Sequence, residues 1–431
     1  MTVNKAKTVF GWTVLVALIA KLWLATFFPV TSDEAFFHEW ANHLSLGYYD
    51  HPPMVGWWLW ALTQSSHSPL VIRSLTVLLS TVVAYGIVLL ARSVMQGDDE
   101  PKAWLAGAVY AAMPVSWYGV FVTTDTPLVF FMGLAVFAYV RTVHSGRVGG
   151  VLLAGVFLGL AFLSKYFAVL LGLAFVLHAF SQKKRWLYVL ALTLGALPFV
   201  GVNLWYNAHN CWNNVMFNLV NRHDDAQLGW GTVLAFLGLM LYLLGPWVWW
   251  GFVKHYKGWR GYASLSAAFW VPMLCFLLIA LEKTVGLHWV LGFLPALFVL
   301  LAVSVPLRSL RRYWVLNLCW SVPHLVLLAS LVYLPASTIG DGLQAAGVPA
   351  EKAESFVEDV RFHRQMPAIL KALTTDQQGP FLLATTGYSP GALMGYHLGK
   401  IVPVFGPGKY HARNDDVFVD WRKHAGKHIR M

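Results

Sequence analysis

Residues 10–30 read FGWTVLVALIAKLWLATFFPV and residues 31–53 read TSDEAFFHEWANHLSLGYYDHPP, an apolar run handing over abruptly to a polar loop. Phe10 to Phe28 is hydrophobic apart from Lys21. A helix needs about 20 apolar residues to cross a bilayer. The dyad alternation of a membrane barrel strand is missing, so the run reads as a helix. Lys5 and Lys7 precede it as in a signal peptide. No small-residue cleavage site follows, and the run is expected to remain as an uncleaved first span. The loop after it holds Asp33, Glu34, Glu39 and Asp50, four of the eleven acidic residues before position 335. A chain short of charge that gathers carboxylates between two spans is expected to use them, which makes this loop the candidate active site.

The rest of the chain repeats the pattern. It is 58% hydrophobic and 12% charged over 431 residues, against about 25% charged in soluble domains. The expectation is a polytopic α-helical membrane protein with about eleven spans, near 10–28, 70–91, 103–122, 127–140, 148–164, 167–180, 186–206, 230–252, 263–281, 286–305 and 313–334. Met54–Leu62, with Trp57, Trp58 and Trp60, reads as an aromatic anchor at the interface. Threading the spans alternately sorts the charges. One side collects fifteen Lys and Arg against three acids; the other has five Lys and Arg against eight acids. The positive-inside rule then puts the N-terminus in the cytoplasm and the 31–69 loop outside. The net charge of +11 is thereby a topological signal, and no nucleic-acid partner is expected. The three cysteines have neither disulfide-framework nor metal-ligand spacing.

After Leu334 the composition changes. Residues 335–431 carry 20 of the 51 charged residues. They are expected to form a small extracytoplasmic α/β domain, beside a transmembrane unit at 1–334. Within it, 351–373 reads as a helix, 380–385 and 401–405 as strands, and 388–398 as a crossing segment. The sequence ends without an obvious close to that domain.

Ionisable residues near the outer ends of the spans are Asp33, Glu34, Asp50, His51, Asp125, Lys165, Arg222, His223 and His288. Residues there escape most of the cost of intramembrane charge while still facing a shared crevice. Each has a plainer reading. Ser32 and Asp33 are both good N-caps for a helix whose apolar face is Phe36, Phe37, Trp40 and Leu44, expected to lie on the membrane interface. Asp125 could serve as a turn residue ahead of Pro127. Lys165 could snorkel, although positive-inside pressure does not explain it, and a cation there suits a phosphate. The Asn- and Trp-rich loop 203–231 could bind sugar or phosphate, and a lone His288 is more often structural than a ligand.

Ser32-Asp33-Glu34-Ala35 and Gly47-Tyr48-Tyr49-Asp50-His51-Pro52-Pro53-Met54 resemble the first external loop of bacterial family 39 membrane glycosyltransferases. These belong to the GT-C class, with the protein O-mannosyltransferases and the aminoarabinose transferases of lipid A. The match continues in order through Thr124-Asp125-Thr126-Pro127, Leu163-Ser164-Lys165-Tyr166, Trp205-Tyr206-Asn207 with Trp212 and Arg222, and His288-Trp289. The resemblance implies transfer of a sugar from a polyprenyl-phosphate carrier to a glycolipid or protein acceptor, with inversion, at the outer face of a bacterial inner membrane. Asp33 matches the acid taken as general base and Asp125 the second acid, with Glu34 in support. Lys165, Arg222 and His51 match positions for the donor phosphate. Aminoarabinose transferases usually have lysine where His51 stands, which leaves phosphate and metal both open at His51. Asp50 and His288 are candidate ligands if a divalent metal takes part.

The chemistry suits that assignment. A phosphate-linked sugar brings its own leaving group, so no nucleotide loop is needed. Cations must meet the leaving phosphate, a carboxylate must reach the acceptor hydroxyl, and the lipid tail needs a groove open to the bilayer. A transporter or flippase of lipid-linked sugars is the competing class, but internal repeats and midplane charges are not evident.

Overall fold

The computed structural model describes residues 1–95, 99–143, 145–221, 229–375, 381–405, 413 and 418–430. The chain is a polytopic α-helical membrane protein. It begins with α1 (Val3–Phe27), two short helices α2 (Ser32–Asn42) and α3 (Met54–Thr63), and α4 (Pro69–Val94). Ten of the eleven expected spans fall on apolar helix of differing length; the one expected over 103–122 is broken into Glu100–Ala111 and Pro114–Tyr118. Among the described residues six helices are long and apolar enough to cross a membrane: α1, α4, Asp125–Val143, Arg185–His209, Leu287–Ser304 and Leu307–Tyr333. Trp230–Leu244 and Pro246–Lys254 meet the same length and hydropathy test only together and are bent by 95°, the form of a broken span or a re-entrant loop. The bend sits at Gly245, whose φ of +77° suits glycine, followed by a proline with no N–H to give. Val148–Phe162, Ala168–Phe180 and Ala263–Ile279 are shorter apolar helices.

Burial explains why some segments read as apolar all round. Leu294 to Ala302 is buried at every position, and Glu100–Ala111 nearly so, because both run through the middle of the bundle. Outer helices instead turn Trp12, Val16, Ile19, Leu190, Leu194 and Leu197 outward, a surface suited to lipid. Since lipid is as apolar as leucine, such helices associate through close packing. Val148–Phe162 and Arg185–His209 do so at paired glycines. A Cβ on Gly155 would sit 2.4 Å from the Leu192 carbonyl oxygen, and one on Gly195 2.3 Å from that of Leu152.

Residues after Leu334 form Ala336–Ala345, Ala350–Thr375 and Tyr388–Leu398 as helices. Strands β1 (Phe381–Leu383) and β2 (His428–Arg430) pair in parallel. The strand expected over 401–405 is reduced to a single parallel bridge, Val404 to Thr385. This segment corrects one expectation. The apolar face of α2 is covered by protein, not laid on lipid: Phe36, Phe37 and Trp40 pack in one cluster with Met366, Leu370, Leu393 and Val402. Trp40 is fully buried and stacks on Tyr48 at 4.1 Å.

Candidate active site

The site is built on the start of α2. Thr31 caps that helix through a capping box: its Oγ1 accepts from the Glu34 N–H at 3.3 Å, and its own N–H donates to Glu34 Oε2 at 3.0 Å. The capping role considered for Asp33 therefore falls to Thr31. Glu34 is wholly buried and clasps Arg73 of α4 through two bonds, Nε to Oε1 at 2.7 Å and Nη2 to Oε2 at 2.6 Å. Arg73 also donates to the carbonyls of Ala25, Phe28 and Pro29, and Glu34 Oε1 accepts from the Val122 N–H at 3.1 Å. One buried ion pair thus bolts together the end of α1, the start of α2, α4 and the loop before Asp125. Glu34 supports the site by fixing this frame, and it does not line the cavity.

Asp33, one residue earlier, faces the other way. Its carboxylate opens onto a cavity of about 440 Å³. Among the described residues it makes no hydrogen bond or ion pair. Enclosure by the surrounding protein raises its pKa above the ordinary 3.8, while Arg413 and His51 pull it back by their charge. An open, unpaired carboxylate of raised basicity is the form a general base needs.

Opposite Asp33 stands the turn 47–53. Tyr48 N–H donates to the His51 carbonyl at 3.0 Å, and Met54 N–H to Leu163 at 3.0 Å, beside Lys165. Asn214 and Asn218 donate to the backbone carbonyls of Tyr48 and Asp50 at 2.8 and 2.9 Å. The Asn-rich stretch read as a sugar or phosphate binder spends these two amides on holding the turn. The turn presents Asp50, buried, with His51 Nδ1 3.1 Å from Oδ1 and Arg413 Nη1 2.9 Å from Oδ2.

The third side comes from two helix starts. Asp125 begins the Asp125–Val143 helix, and its two carboxylate oxygens accept from Lys165 Nζ at 2.8 and 2.9 Å. Both side chains are 7% exposed. Lys165 is therefore an inward-facing partner of Asp125 and does not snorkel. His288, at the head of the 3₁₀ turn Leu287–Phe293, lines the same cavity. Deeper, the lining turns apolar at Leu79, Val83, Val115, Leu291 and Leu294. Val83 is shared with a second groove of about 180 Å³ between α4, Asp125–Val143 and Leu294–Ser304.

The structure thus brings Asp33, Asp50, His51, Asp125, Lys165 and His288 to one cavity. Arg222 and His223 lie outside the described residues. For a metal, Asp50 and His288 share the cavity, but among the described residues no three His, Cys, Asp or Glu side chains cluster as an ion site. Two important residues escaped the sequence reading. Arg73 counted only as an outer charge, and a separation of 39 positions gives no sequence signal for its pairing with Glu34. Arg413 had no local signal at all.

The family model described as dolichyl-phosphate-mannose-protein mannosyltransferase matches residues 50–205, a stretch holding Asp50, His51, Asp125 and Lys165. The lipid A galacturonosyltransferase RgtD of Rhizobium johnstonii is 29% identical over 272 residues, 59% of this chain. The match spans 55% of that relative's length, about half. In three dimensions the chain resembles ArnT from Cupriavidus metallidurans. Against the apo crystal structure the TM-score is 0.67 at 14% identity, covering 97% of this chain and 89% of ArnT. Against ArnT bound to undecaprenyl phosphate it is 0.64 at 15%, covering 95% and 91%.

Proposed function

We propose that this chain, a membrane protein of the family 39-like GT-C group, is an inverting transferase that moves a sugar from a polyprenyl-phosphate carrier to a lipid-borne hydroxyl. One observation carries the reading. An unpaired acid, Asp33, shares a cavity with the buried Asp125–Lys165 pair, and that cavity shares its Val83 wall with an apolar groove between helices. The groove suits an isoprenoid tail, and the polar end suits a phosphate and a sugar. The named relative acts on lipid A, which favours a glycolipid acceptor over a protein one. A transporter or flippase has less support, because the cavity's ionisable groups gather at one end of the bundle and not around its middle.

In the proposed reaction Asp33 takes the proton of the acceptor hydroxyl as its oxygen attacks the anomeric carbon. The bond from that carbon to the phosphate oxygen breaks, and its electron pair leaves with the phosphate. Lys165, held in place by Asp125, and His51 meet the developing charge. Attack opposite the leaving group inverts the anomeric centre. The bacterial relatives support an inner-membrane location, and charge sorting along the sequence supports an N-terminus in the cytoplasm, with the site and residues 335–431 on the periplasmic side of a transmembrane unit at 1–334.

The test is transfer to lipid A by purified protein supplied with labelled undecaprenyl-phosphate sugars. Asp33→Asn is expected to lower turnover by about 10²–10⁴-fold, the usual worth of a positioned base. Wild-type turnover in that variant would remove Asp33 from the chemistry and the reading with it.

A further inference from the structure

Among the described residues lining the cavity, two side chains are permanently cationic, Lys165 and Arg413. They are held in different ways. Lys165 is gripped by both oxygens of Asp125. Arg413 meets Asp50 through Nη1, and its guanidinium carbon lies 3.6 Å from the centre of the Tyr388 ring. Phe36 and Phe217 stand at 5.3 and 5.6 Å. Rings from α2, from the 217–221 turn and from the C-terminal segment thus fix one guanidinium at the cavity wall.

We propose that Arg413 binds the donor phosphate and receives its charge as the phosphate leaves, so that the C-terminal segment completes the active site. This rests on the transferase reading above. A guanidinium is planar and carries five donors in a fixed fork, so one such group can serve more than one oxyanion, a geometry that lysine lacks. Stacking on aromatic rings sets its plane in advance and lowers the ordering cost of binding. Asp50 stands between His51 and Arg413, so it orients both groups at once. Arg413 is also near enough to Asp33 to act on its charge, which places phosphate cation and base within one electrostatic environment. A plainer role, stapling the C-terminal segment to Asp50, would make Arg413 matter for stability alone.

The two roles separate by measuring binding of undecaprenyl monophosphate and of undecaprenol to the full chain in detergent. Wild type should bind the phosphate form more tightly. Arg413→Gln should weaken it by about 10- to 100-fold, the range for a hydrogen bond to a charged group, with undecaprenol binding unchanged. Arg413→Lys should recover part of the loss, and Tyr388→Leu should cause a smaller one. Equal affinity of wild type and folded Arg413→Gln for undecaprenyl monophosphate would overturn the inference. If Arg413→Gln does not fold, Arg413→Lys decides: wild-type affinity and wild-type KM for the donor overturn the inference, and a raised KM with an unchanged melting temperature supports it. A wild type blind to the phosphate would instead sink the transferase reading underneath.

Discussion

Two buried ion pairs stand within one site and do different work. Glu34–Arg73 is 0% exposed on both side chains, and its remaining capacity goes to backbone groups of α1 and of the 122 region. Asp125–Lys165 is 7% exposed on both and borders the cavity. The first is enclosed by protein and joins four parts of the chain. The second is reachable by a substrate. Burial and pairing are therefore common to both, and access to the cavity separates the pair enclosed by protein from the pair proposed to act on substrate.

The sharpest way to break that contrast is to remove one cation from each pair. Arg73→Ala leaves Glu34 charged, buried and unpaired, which typically costs about 3–5 kcal/mol. The expected outcome is poor accumulation or a strongly lowered melting temperature in detergent. Lys165→Ala leaves Asp125 beside a cavity that water can enter, so its stability loss should be smaller. Its turnover should fall on the order of 100-fold, as when one donor to a developing negative charge is lost. If the two variants lose stability equally, access is not what distinguishes the pairs.

A third variant sharpens the difference between neighbours on α2. The folded pKa of Asp33 is raised by enclosure, so the fold disfavours its ionised form. Its contribution to stability falls as pH rises from the ordinary 3.8 through the folded value, and the cost is fully present above that. Asp33→Asn should then raise the melting temperature at neutral pH while it removes activity, whereas Glu34→Gln should lower the melting temperature. The acid limb of kcat/KM should likewise lie above 3.8.

The smallest expected effect concerns the outer wall of α2. His38 Nε2 lies 2.8 Å from His67 Nδ1, and Tyr396 donates to the His67 carbonyl at 2.7 Å. Burial, and then the neighbouring His67, lower the His38 pKa from 6.5 to about 4. A lowered value means the fold prefers the neutral ring, so its contribution is whole above pH 6.5 and lost as pH falls towards 4. His38→Gln should flatten the melting temperature over that interval without changing it much at pH 7.5.

Much of the architecture was legible because hydropathy is a local property. A run such as Phe10–Phe28 must be helical in lipid whatever it packs against, and ten of the eleven expected spans do fall on apolar helix, the exception being 103–122. The acids at the span ends were legible for the same reason, since charge is costly anywhere else in such a chain. The interfacial placement of α2 was not. Its amphipathic spacing is equally satisfied by lipid or by the Met366–Leu393 surface that covers it, and periodicity does not distinguish them.

From sequence alone came the class of protein, the end of the bundle where the ionisable residues gather, and the residues Asp33, Asp50, His51, Asp125, Lys165 and His288 that meet in one cavity. The tertiary structure alone decided which carboxylates are paired. Asp33 and Glu34 are adjacent and chemically alike, yet one step around a helix turns one to the cavity and the other to Arg73, 39 positions away. Asp50 finds its arginine 363 positions away. Coulomb energy depends on distance in space and on the local dielectric, and neither is written in the order of residues along the chain.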